Sequence, residues 1–271
     1  MERVFTGFDS AWGATNKGGL CDMVFGNTDS LMVTSLKIVD WNQAIDEVKN
    51  YRNIGLHVFS IDQPICVANE TGCRPVEIGL SRALMRVFGC GAHSSNLNNP
   101  CWGPNARIWD FLRELEARNY CHEPMAVPNI ATGKFFFECY PHPALIGLFG
   151  LNHLLPYKKH RRDVNAWNCL LKLLISLKDA QLAISNIENF ISPQMRQTKS
   201  NEDRLDAIIC AYTSAYWWRF GATRSTMIGN LASGYMVTPH SEAMQQLLVA
   251  QFGDDINRGG RVHLAIRGPS A

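Results

Sequence analysis

The alternation of apolar and polar residues over the first 62 positions predicts three short strands, a helix and a fourth strand. Residues 3–8, 21–25 and 31–39 are β-prone, and Gly18-Gly19 and the run from Asn27 to Ser30 supply turns between them. Strands joined in this way form an antiparallel meander. Trp41, Ile45 and Val48 recur at helical spacing within residues 41–51, and Gly55 then punctuates before the apolar run from Leu56 to Ile61. A helix crossing over to a buried, parallel strand follows from that order.

Pro75 suits the first turn of a helix that carries Val76, Gly79, Leu80, Ala83, Leu84 and Val87 and ends at Gly89. Residues 90–104, rich in Asn, Ser, Gly and Pro, predict a long loop, and residues 106–118 a second amphipathic helix. Residues 134–139, reading KFFFEC, predict a strand buried on both faces. Pro141 and Pro143 open a short helix to Phe149, and three longer helices are expected over 164–189, 202–220 and 241–252. The expectation is an α/β fold: a mixed sheet, antiparallel meander first and parallel strands after, flanked by helices. One domain spans 1–252 with a loop-rich insertion around 90–130, and 253–271 forms a flexible tail.

Composition bounds the function. The chain has 271 residues, 46% hydrophobic and 18% charged, enough to bury a large core. A net charge of +2 excludes a histone-like polyanion coat, so any nucleic-acid contact must be local. The amino terminus lacks a charged-then-apolar leader pattern and no apolar run reaches the 18 or so residues of a membrane span, which predicts a cytoplasmic protein. Nine cysteines without a C-x-x-C pair predict reduced thiols; Cys90, His93 and Cys101, or Cys139 with His142, are the nearest approach to zinc spacing.

The chemistry rests on acids at element ends. Asp9 and Asp62 each stand where a strand gives way to a loop, and neighbouring strands lie about 4.8 Å apart, so both carboxylates can address one ion. Glu138 ends KFFFEC's strand, and Asp203 and Asp206 share a helix face three residues apart. Hard oxygen ligands of this kind suit Mg²⁺ or Mn²⁺. Two carboxylates about 5 Å apart repel by roughly 3 kcal/mol at an effective dielectric of 20, so a cluster of them calls for a cation. Taken singly, each acid is more often a turn former or helix cap than a ligand; their convergence is what points to an ion.

Arg74 and Glu70, beside a proline-led helix, are candidates for a phosphate contact and its orienting partner, and Lys158 and Lys159 head the basic run KKHRR, which otherwise reads as a solvated loop. His142 is a candidate proton shuttle or a structural histidine, and Tyr216-Trp217-Trp218 could stack bases or fill core.

Five stretches, GFDSAWGATNKGG from Gly7, IDQPICVANETGCRPVE from Ile61, FECYPHPALIGLFG from Phe137, LPYKKHRR from Leu155 and EDRLDAIICAYTSAYWWR from Glu202, resemble in order and spacing a bacterial domain-of-unknown-function family of predicted nucleases with a ribonuclease H-like fold. The resemblance implies two-metal phosphodiester hydrolysis of nucleic acid, carried on Asp9, Asp62, Glu138 and Asp206 with Asp203 as a rival. Ribonuclease H proper has a glutamate on its first helix, for which only Glu47, beside Asp46, stands in here. The alternatives are an actin-like or sugar-kinase-like phosphotransferase, weakened because Gly13 to Gly19 is not a Walker A loop, and a non-catalytic scaffold.

Overall fold

A computed structural model describes residues 2–258 except 11, 27, 28, 52, 53 and 162. The expected tail beyond 258 lies outside the described residues. Five strands, β1 (Arg3–Asp9), β2 (Gly18–Phe25), β3 (Leu31–Val39), β4 (Leu56–Ile61) and β5 (Gly133–Glu138), form one sheet in the order β3-β2-β1-β4-β5. β1, β2 and β3 pair antiparallel; β4 runs parallel to β1, and β5 parallel to β4. This mixed sheet flanked by helices is consistent with the ribonuclease H-like fold.

Strand alternation divides the side chains of β1 between two helical layers. Phe8 meets Trp41 of α1 (Trp41–Asn50) and Phe111 of α3 (Arg107–Ala117) on one face. On the other face Phe5 meets Trp218 of α6 (Lys199–Phe220), the longest helix, which runs across β1, β2 and β4. Two glycines let α6 come close. A Cβ added at Gly7 would stand 2.1 Å from the Ala211 nitrogen and 2.2 Å from the Ala207 carbonyl oxygen, and one added at Gly19 would stand 2.1 Å from the Asp203 carbonyl oxygen. Backbone-to-backbone seating of this kind fixes where the first turns of α6 lie relative to the strand ends.

A smaller core gathers around α2 (Pro75–Phe88), α7 (Glu242–Phe252) and a hairpin, β6 (Ser225–Asn230) and β7 (Gly234–Pro239). The hairpin was not foreseen. α4 (Pro141–Phe149) packs on β7 and α6, and α5 (Val164–Ile175) is shorter than the 164–189 helix expected. The chain leaves the helix to cap the sheet edge. Leu31 donates to the Ala183 carbonyl at 2.7 Å, Ser185 donates to the Leu31 carbonyl at 2.9 Å, and the Asn186 amide bonds both backbone groups of Val33. Edge strands left open invite pairing with other chains, and this segment covers β3.

All nine cysteines are free thiols, and Trp217 and Trp218 are core residues whose indoles donate to the Pro124 and Ile130 carbonyls. Among the described residues no helix is long and apolar enough to cross a membrane.

Candidate active site

Residue parity in the sheet decides which acids meet. Phe8 is in register with Ile61, and Ile61 with Glu138. These three therefore share the α1/α3 face, while the flanking residues Asp9 and Asp62 turn to the α6 face. Asp62 is fastened there by its backbone nitrogen, which donates to the Phe8 carbonyl at 2.8 Å. The loops that follow are tied together, because Ser10 donates to the Gln63 side chain and the Trp12 indole to the Asp62 carbonyl.

From the opposite side α6, capped by Thr198, brings Glu202, Asp203 and Asp206 to the same place. Asp9 and Asp62 are hydrogen bonded to each other. Burial and then the charges of Asp206 and Asp62 push the Asp9 carboxyl well above its ordinary range. Burial, with Asp206 and Glu138 adding to it, moves Asp62 up to about 7 against the pull of Lys158. Asp203 is raised as well, chiefly by burial, and Lys199 lies 2.5 Å from it. The five carboxyl groups outnumber the three lysines, Lys17, Lys158 and Lys199, that line the adjoining cleft of about 700 Å³.

Asp206 is spoken for. Tyr157, fully buried, donates to its Oδ1 at 2.6 Å, and Lys158 Nζ reaches its Oδ2 at 2.5 Å. Among the described residues no group of three or more His, Cys, Asp or Glu side chains is arranged to hold a metal ion. The Asp9–Asp62 pair still fits one hard cation: the two carboxyl groups of adjoining strand ends lie within hydrogen-bonding reach, the Asp62 charge raises the Asp9 pKa, and an ion there would offset that repulsion.

Other expected site residues lie elsewhere. Glu138 ends its strand as foreseen but faces away from α6. It takes a bidentate pair from Arg74, at 2.6 and 2.9 Å, and the Ile65 backbone nitrogen at 3.0 Å. The next residue, Cys139, takes the α6 face instead, and its thiol is hydrogen bonded to Cys210 of α6. Arg74 is 0% exposed and also binds Glu77 and the Cys66 carbonyl, so its guanidinium has no access to a substrate phosphate. Glu70 is exposed on the loop before it. Glu47 pairs with Lys37 and Asp46 with Lys49, so the first helix sends no acid to the cleft. In the basic run Lys158 enters the site, His160 and Arg161 are exposed, and the Lys159 side chain and Arg162 lie outside the described residues.

The far wall of the cleft is aromatic: Trp12, His93, Tyr140 and His142 line it. His142 Nδ1 lies 2.9 Å from the Tyr140 hydroxyl, and burial drives its pKa down to about 3, which makes it a neutral hydrogen-bonding group at neutral pH. Tyr157, Lys199 and Glu202 were not singled out in the sequence. The i, i+3 and i+4 spacing of Lys199 with Glu202 and Asp203 was the available signal.

The sequence profile of the family described as Protein of unknown function (DUF429) matches residues 7–228, which run from the end of β1 through most of β6 and take in every carboxylate of the cleft. The chain belongs to this DUF429 family. No curated protein and no solved structure matches it. The span shared with the DUF429 profile includes both glycines under α6, so the cleft and the seating of α6 on the sheet fall within the part of the chain that defines membership.

Proposed function

We propose that the chain is a divalent-cation-dependent hydrolase that cleaves phosphodiester bonds of nucleic acid in this cleft, using Mg²⁺ or Mn²⁺. The observation that carries the reading is the Asp9–Asp62 pair, set side by side on adjoining parallel strand ends and faced by Asp206 and Asp203 of α6 at the base of an open, lysine-bordered cleft. A bound cation would lower the pKa of water and offset charge on the phosphate. Asp9 and Asp62 would hold it, Asp203 keeps the cleft lining acidic, and Lys17 and Lys199 would attract the phosphate backbone by charge. The wall of Trp12, Tyr140 and His142 gives planar bases a surface to lie against. One ion at the Asp9–Asp62 pair replaces the two-ion scheme as the simplest form of this reading.

The test is incubation of the purified protein with labelled single- and double-stranded DNA, RNA and hybrid, with Mg²⁺, Mn²⁺ or chelator. Metal-dependent cleavage is expected, reduced by at least about a hundredfold in Asp62→Asn. Phosphate transfer from a nucleoside triphosphate without cleavage would replace it with the phosphotransferase reading, and cation-independent binding alone with a scaffold.

Asp62→Asn also has a stability signature. Because folding raises the Asp62 pKa from 3.8 to about 7, the native state binds the proton more tightly than the unfolded chain, and stability falls as pH rises between those values. Denaturant titrations in chelator should show the variant gaining on the wild type from pH 4 to pH 7, with no further gain above. A constant gap across that range would remove the carboxyl pair as a source of repulsion.

A further inference from the structure

Lys158 approaches the acid cluster from the cleft. Its side chain keeps 23% exposure while that of Asp206 keeps none. Beyond the 2.5 Å contact with Asp206, its ammonium is 3.5 Å from Glu202, and its charge acts on Asp9 and Asp62. One ammonium thus serves four carboxyl groups. A divalent ion bound at Asp9 and Asp62 would draw on the same carboxylates with twice the charge, and the two cations repel.

The residue before it is built differently. Tyr157 is fully buried, its hydroxyl is bonded to Asp206, and its carbonyl accepts from the Gln197 side chain at 2.8 Å. The backbone is therefore pinned at 157, and the flexible four-carbon stem of Lys158 is the part free to swing.

We propose that Lys158 is a tethered competitor of the divalent cation: the ion displaces its ammonium from Asp206, Oδ2 joins Asp9 and Asp62 as a ligand, and the freed ammonium turns into the cleft to meet substrate phosphate. This rests on the cation reading above. The place of Lys158 then reports whether the ion is bound, which accounts for three convergent aspartates that do not stand as one ligand set.

Calorimetric titration of Mn²⁺ into the chelator-stripped full chain tests it. Lys158→Gln, which can still hydrogen bond Asp206, is expected to bind Mn²⁺ at least about tenfold more tightly than the wild type. Lys199→Gln, which removes the ammonium beside Asp203 in the same cleft, measures the through-space effect of losing one positive charge. A Lys158→Gln gain no larger than that of Lys199→Gln overturns the competitor role while wild-type binding leaves the cation reading standing. Absence of Mn²⁺ binding in all three proteins overturns both. A second measurement needs no variant: amine acylation of the wild type, read by mass spectrometry, should label Lys158 several-fold faster with saturating Mn²⁺ than in chelator, with Lys37 unchanged. Equal Lys158 labelling in the two conditions overturns the displacement.

Discussion

Arg74→Met should lower the unfolding free energy by about 3–5 kcal/mol, the range for removing one partner of a buried ion pair. Arg74 neutralises Glu138 and Glu77, both about 1% exposed, and methionine supplies none of its five donors. At roughly 2–4 °C per kcal/mol for a chain of this size, the melting temperature falls by about 10 °C. Calorimetric melting with and without Mn²⁺ checks it. An arginine placed to grip phosphate would give the reverse pattern, with cleavage lost and melting unmoved, and that outcome would contradict the geometry. Pairing Arg74→Met with Glu138→Gln should recover part of the loss, since the carboxylate no longer lacks a counter-ion.

Gly7→Ala is expected to act on both stability and the site. The new methyl would lie 2.1 Å from a backbone atom of α6 where about 3 Å is needed, so helix and strand must part by about 1 Å. Overpacking of a core against backbone costs typically 1–3 kcal/mol. Ala207, one of the residues struck, directly follows Asp206, so the displacement falls on the carboxylate that faces Asp9 and Asp62. A shift of about 1 Å at a reacting centre can cost about a hundredfold in rate. Cleavage should drop by that order while circular dichroism keeps its helix and strand content. Unaltered melting and cleavage would mean that α6 does not rest on Gly7.

The elements with strong periodicity were legible in sequence: the meander, the 56–61 strand and the proline-led helices stand within a few residues of where apolar spacing places them. The β6–β7 hairpin was missed because Ser225–Asn230 and Gly234–Pro239 are buried almost throughout, so neither alternates between apolar and polar positions. The end of α5 was missed for another reason. Its apolar pattern continues past Ile175, but the backbone of 183–186 finds better partners on the β3 edge, a tertiary choice that periodicity does not encode.

The candidate site divides along the same line. That Asp9 and Asp62 end strands could be read from the loops that follow them. Which way each side chain points depends on pairing register, and a shift of one residue exchanges Glu138 for Cys139 on the α6 face. Arg74 looked like a surface arginine because it follows an exposed loop, and only the packing of β7 and the 65–66 backbone around it encloses the guanidinium.

The hairpin also bears on what counts as one unit of this family. The shared sequence profile stops at residue 228, inside β6, yet Tyr235 of β7 accepts from the Glu138 backbone nitrogen and bonds His122, and α4 rests Gly147 against Pro239. Likeness between sequences fades midway along a strand whose hydrogen-bonded partner comes later in the chain. The boundary drawn by kinship is therefore not one along which the molecule could be divided, and residues past it carry structural duty for a cleft they never touch.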